Sequence, residues 1–177
     1  MKKTLALILV ALFVAMSFSG CETGPNLGFT RQEFKDLLTS KLEQDRKYFT
    51  VGEWTDSYSS REKYYLNVGK DMIIWARCAN NGAGPVYFLT AMLDLINWKP
   101  IEATDQYIYL VRAIYEIVNP EHTEEQSEEF EETIMDAIYH PIKDHYTYLT
   151  QDGYQYAICP SHDNFHFSIT LTQVIQQ

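Results

Sequence analysis

The chain of 177 residues has only three cysteines, eight glycines and six prolines. So little glycine and proline excludes collagenous and low-complexity organisation, and three cysteines exclude a disulfide-dense miniature scaffold. Basic residues are scarce as well: 14 Lys and Arg stand against 24 Asp and Glu, a net charge of −10. That balance disfavours nucleic-acid binding, whose affinity comes from cations displacing counterions from phosphates. It equally disfavours attraction of the protein surface to anionic lipid headgroups, although a basic partner remains compatible. There is no Gly-x-Ser-x-Gly elbow, no phosphate-cradling glycine loop and no His-Glu-x-x-His metal helix. No internal repeat or interdomain linker is visible, and no cofactor is expected.

What is present begins at the N-terminus. Met1, Lys2 and Lys3 precede an apolar run from Leu5 to Met16, followed by Ser17, Ser19 and Gly20 before Cys21. This is the three-part layout of a secretory signal. Its 12 apolar residues span about 18 Å as a helix, well short of the roughly 30 Å of a bilayer's hydrocarbon core. Export is therefore expected, with the apolar segment removed rather than kept as an anchor.

Phe18-Ser19-Gly20-Cys21 resembles the lipobox of bacterial lipoproteins: Ser19, Gly20 and Cys21 match the pattern, and Phe18 stands where an aliphatic residue is usual. The resemblance covers about the first 21 residues. It implies a signal peptide at 1–20, acylation of Cys21, and a flexible tether through Gly28 ahead of one globular domain at 29–177. It also implies a location in the cell envelope outside the cytoplasm, held to a membrane by lipid. Each buried CH₂ of such a chain adds about 0.8 kcal/mol of membrane affinity. The alternative is ordinary secretion after Ser17-Phe18-Ser19, which would leave Cys21 as a free thiol. Loss of residues 1–20 removes Lys2 and Lys3 and no acid, leaving 12 basic against 24 acidic residues, net −12.

The remaining length suits one domain with a single core, and a 46% hydrophobic composition argues for folding. Thr30 with Glu33 forms a capping box and Phe29 with Phe34 a hydrophobic staple, so a helix begins there with Phe34, Leu37, Leu38 and Leu42 on one face. From Tyr48 to Cys78 the β-prone residues predict a strand near Tyr48–Trp54 and a hairpin of Lys63–Val68 with Met72–Cys78. Val86 to Trp98 is almost continuously apolar and reads as a buried strand or as a helix begun by Pro85; a strand is the expectation. A helix capped by Thr104 or Asp105 keeps helical spacing through Tyr107, Leu110, Val111, Ile114, Ile117 and Val118. Another, capped by Thr123 with Gln126, carries Phe130, Ile134, Ala137 and Ile138. His145–Leu149, Tyr154–Cys159 and Phe165–Val174 read as a closing meander. The class is α+β: an N-terminal helix, a predominantly antiparallel sheet with two inserted helices, and a C-terminal β-meander. This order resembles the plan of several small chaperone-like and ligand-binding α+β folds.

Candidate sites are weakly marked. Cys159, His162 and His166 combine a thiol with two imidazoles around a turn, the ligand types of a zinc site, with His145 or Asp163 as a fourth ligand. The same residues admit a thiol nucleophile with His166 as base. A disulfide between Cys78 and Cys159, worth about 4–5 kcal/mol in the chain-entropy model, is the preferred reading. Carboxylate pairs such as Glu53 with Asp56 or Asp144 with Asp152 are the groups of glycoside hydrolysis, and they arise readily by chance in so acidic a chain. Six glutamates between Glu124 and Glu132 read as a solvated helix start. Trp54, Trp75 and Trp98 offer either a sugar-stacking surface or core packing. The function expected is a non-enzymatic module binding a protein, peptide or glycan, with a metal or thiol enzyme at Cys159, His162 and His166 as the alternative.

Overall fold

A computed structural model describes residues 26–45, 49–56, 63–94, 100–140, 147–151, 153–160 and 166–173, with positions 94, 100–104, 159–160 and 166–173 described by backbone alone. Along the chain run α1 (Arg31–Gln44), β1 (Thr55–Asp56), β2 (Lys63–Val68), β3 (Met72–Cys78), β4 (Val86–Asp94), α2 (Pro100–Val118), α3 (Glu124–Tyr139), β5 (Thr147–Gln151), β6 (Tyr154–Pro160) and β7 (His166–Gln173). The strands form one sheet in the order β1-β2-β3-β4-β7-β6-β5, every neighbour antiparallel. The chain leaves the middle of the sheet after β4, passes through α2 and α3, and re-enters at the far edge as β5. It then works inward until β7 closes beside β4. This is the α+β plan that the sequence predicts, and the run from Val86 is a strand as far as Asp94.

Both predicted capping boxes form. The Thr30 backbone N–H donates to Glu33 Oε2 at 2.8 Å and the Thr123 N–H to Gln126 Oε1 at 2.8 Å. The Phe29 and Phe34 rings stack 5.3 Å apart, as the staple requires. Four local expectations are corrected. Leu37 is 47% exposed while Phe34, Leu38 and Leu42 are buried, so the stripe of α1 is narrower than its apolar spacing allows. The packed domain begins before residue 29: Leu27 is buried and its N–H donates to the Val86 carbonyl at 2.7 Å. Residues 50–56 follow β2 through single bonds, Gly52 N–H to Asn67 O and Gly69 N–H to Thr50 O, both at 2.9 Å; only Thr55–Asp56 is regular strand. Finally, α2 starts at Pro100 rather than at Thr104 or Asp105, consistent with proline's fixed φ and missing N–H at a first helical position.

Register sorts the sheet into two faces. Leu66, Ile74 and Ala91 align in one row, Val68, Met72 and Leu93 in another, and all six are buried. Alternate residues point the other way. The described helices cover only the first face. α2 lies between α1 and α3, which explains why it is buried over most of its circumference from Tyr107 to Val118. A Tyr115, Phe130 and Tyr156 aromatic cluster joins the helices to β6, with Tyr115 and Phe130 stacked at 3.9 Å. Polar atoms in it are satisfied: Tyr115 Oη meets His122 Nδ1 at 2.5 Å and accepts from Gln151 at 3.0 Å, while Asn119 donates to Tyr156 Oη at 3.2 Å.

Ion pairs lace the three helices. Lys41 of α1 meets Asp45 at 3.1 Å and Glu116 of α2 at 2.6 Å; Arg112 meets Glu116 at 2.9 Å and Glu131 of α3 at 2.8 Å, and also pairs with Glu124. Burial acts to raise the carboxyls of Glu116 and Asp45. Hydrogen bonds outweigh it, from Lys41 and Arg112 to Glu116 and from Tyr109 and Lys41 to Asp45, and hold both below their ordinary values. A depressed folded-state value means that the unfolded chain binds more protons, so this stabilisation is present above the ordinary values of 4.5 for Glu116 and 3.8 for Asp45 and is lost as pH falls through the folded ones. Urea midpoints measured from pH 7 downward will therefore fall below about pH 4.5. In Glu116→Gln the fall will be shallower, so the gap between the two proteins will narrow as pH drops.

Candidate binding face

The face of the sheet opposite the helices is built by the alternate residues of each strand. Its central row runs Thr55, Tyr65, Trp75, Thr90, Thr170, Ala157 and Tyr148 across all seven strands. On one side lies the row Asn67, Ile73, Met92, Ser168 and Cys159, and on the other the row Lys63, Arg77 and Phe88. None of the described helices packs on this side. Trp75 is 41% exposed and Tyr148 60%; Tyr65, Ile73, Phe88 and Met92 are half-buried. Large apolar side chains left open in a block at a sheet's centre, rather than scattered singly, mark a contact surface.

Backbone donors and acceptors of β3 are engaged in ladders with β2 and β4, so a ligand here meets side chains: the indole of Trp75 and the phenol of Tyr65, while Thr90, the β4 partner of Trp75, is buried. Arg77 is exposed, with its guanidinium 5.4 Å over the Phe88 ring, a cation–π contact that keeps the charge on the face.

The other candidate residues divide clearly. Trp54 is packed, donating its indole N–H to Arg31 O at 2.8 Å with its ring 6.4 Å from Phe34. Glu53 pairs with Lys35 at 2.5 Å and Asp56 with Arg31 at 3.7 Å, which makes both of them surface ion-pair partners. Of the helix glutamates, Glu124 and Glu131 bind Arg112. Cys78 is a buried free thiol, and burial pushes it up to about 11, offset in part by the charge of Arg31; it is a protonated, unreactive core residue.

The structure does not bring Cys78 and Cys159 together. They lie in β3 and β6, separated by β4 and β7, and register puts Cys78 in a buried row with Val86 but Cys159 with Ser168, Met92 and Ile73 on the opposite face. Three strand spacings of about 4.8 Å already exceed the reach of a disulfide. His166 pairs with Asp94 at the start of β7 and shares the open face with Cys159. His162, Cys21, Trp98, Asp144, His145, Asp152 and Asp163 lie outside the described residues. Among the described residues no three of His, Cys, Asp and Glu converge to hold a metal ion, and no helix is long and apolar enough to cross a membrane.

Sequence reading singled out Trp75 but not its row. The alternation of Lys63-Tyr64-Tyr65-Leu66-Asn67-Val68 signals one face of β2; which residues of other strands stand beside Tyr65 depends on pairing between segments distant in the chain. Compared with protein-family models, curated proteins and solved structures, the chain matches none, so the chemistry of the face itself carries the functional reading.

Proposed function

We propose that this protein is a lipid-anchored lipoprotein of the cell envelope that binds a glycan on the open face of its sheet, without catalysis. The observation that carries the reading is the row through Tyr65 and Trp75, which none of the described helices covers. Sugar rings present flat C–H surfaces, and an exposed indole such as that of Trp75 stacks against them. The anchor reading is supported by Cys21 within Ser19-Gly20-Cys21, and it goes with a domain outside the cytoplasm, where glycans are abundant. The strongly acidic surface leaves retention to the lipid rather than to the domain.

The full chain, purified from membranes in detergent, is titrated calorimetrically with a panel of neutral and acidic hexasaccharides. At least one binds, and Trp75→Ala weakens it at least about tenfold, the scale of one aromatic stacking contact, while the thermal midpoint is unchanged. Binding indifferent to Trp75→Ala overturns the site. An intact mass of the same preparation reports the anchor: loss of residues 1–20 with added acyl mass is expected, and their retention without lipid overturns it.

A further inference from the structure

We infer that the ligand of this face is an anionic glycan, its acidic group held by Lys63 and Arg77; the inference rests on the glycan reading above and adds the sign of the ligand's charge. Lys63 and Arg77 are direct cross-strand partners on β2 and β3, a like-charge placement that by itself destabilises a sheet. Arg31, Lys35, Lys41 and Arg112 each face a carboxylate. Among the described residues Lys63 and Arg77 face none, although the chain carries 24 acidic residues. The contrast extends over the face. In its three rows from Asn67 to Phe88 the described strands place no carboxylate, and the acid that shares the face, Asp94, stands beyond them at the end of β4, paired with His166. A chain of net −10 thus presents a small cationic spot beside its exposed aromatics.

The spacing suits one ligand for both features. Arg77 and Trp75 are two residues apart on one strand, so their rows are about 7 Å apart. A ring stacked on Trp75 lies within reach of the cations through its acidic substituent. The guanidinium offers a planar fork to a carboxylate or a sulfate, and Lys63 adds a point charge. An acidic peptide is a poorer fit, because extended peptides are held mainly by unpaired backbone at a sheet edge, and Trp75 and Arg77 stand on β3, which is paired with β2 on one side and β4 on the other. A nucleic acid carries a phosphate at every unit, and the net charge of the chain repels it. A saccharide with one carboxylate per disaccharide places a single anion at the single pair.

The test compares a hyaluronan hexasaccharide with neutral chitohexaose by titration calorimetry on the full chain in detergent. Hyaluronan binding is expected to be at least about tenfold tighter, the scale of one charge-assisted contact, and to weaken as salt rises. In Lys63→Gln/Arg77→Gln the preference disappears while chitohexaose still binds, and the thermal midpoint does not fall, because a like-charge cross-strand pair has been removed. Equal affinities for the two sugars overturn this inference and leave the glycan reading standing. If the acidic and neutral sugars both fail to bind, both readings fall. Binding of a poly-glutamate peptide as tight as that of hyaluronan overturns the glycan class.

Discussion

Phe130→Ala is expected to destabilise the domain by about 3–5 kcal/mol, the range for removing a buried aromatic ring from a packed core. Phe130 is 1% exposed, its ring stacked on Tyr115 at 3.9 Å and tilted 5.0 Å from Tyr156. Truncation leaves a cavity at the junction of α2, α3 and β6, where one element cannot collapse without moving the other two. It also loosens the support of Tyr115, whose hydroxyl holds His122 and Gln151. Since 5–15 kcal/mol is the usual stability of a whole domain, the variant will stand near the limit of folding. Urea unfolding at fixed pH measures the loss, and Phe130→Leu, which keeps most of the volume, will lose less than half as much. A cost below about 1 kcal/mol would mean that this cluster does not hold the helix layer to the sheet.

Gly82→Ala will cost about 2–4 kcal/mol through two separate effects. Gly82 closes a short turn in which Asn80, Asn81 and Gly82 all have positive φ, 51°, 54° and 90°, and a side chain at 82 pays the left-handed penalty. A Cβ there would also lie 2.2 Å from Tyr64 Oη, so the phenol would have to leave its 2.6 Å hydrogen bond to Asn81 O. A double-mutant cycle separates the effects: in a Tyr64→Ala background the contact is gone, and Gly82→Ala should retain only its backbone cost of about 1–2 kcal/mol. Equal costs in both backgrounds would show that the ring moves aside freely.

These two sites illustrate what the sequence makes legible. Thr30, Glu33, Thr123 and Gln126 act within four residues of themselves, and the helix starts they predict are present. The hairpin of β2 and β3 is equally local, and so is the return from β5 to β6. By contrast, the order of the sheet depends on β7 pairing with β4 across some eighty residues, and no local signal encodes that partner. The Cys78–Cys159 bridge failed for this reason: strand alternation assigns each residue a side of its own strand, while which strands are neighbours, and which sides agree, is set by the topology. The open face was likewise legible only in fragments. Tyr65, Trp75 and Arg77 are visible as strand residues, but their assembly into one surface that no described helix covers follows from α1, α2 and α3 packing on the same side. Leu37 shows the converse: helical spacing says which residues share a stripe and leaves the width of the contact to the neighbouring elements.

The last described strand along the chain is not the last in the sheet. With β7 wedged between β4 and β6, a growing polypeptide holds two unjoined halves, β1 to β4 and β5 to β6, until residues 166–173 arrive. Each half meanwhile bares a long inner edge. Joining the two halves therefore falls to residues 166–173, the one described segment that carries ladders to both.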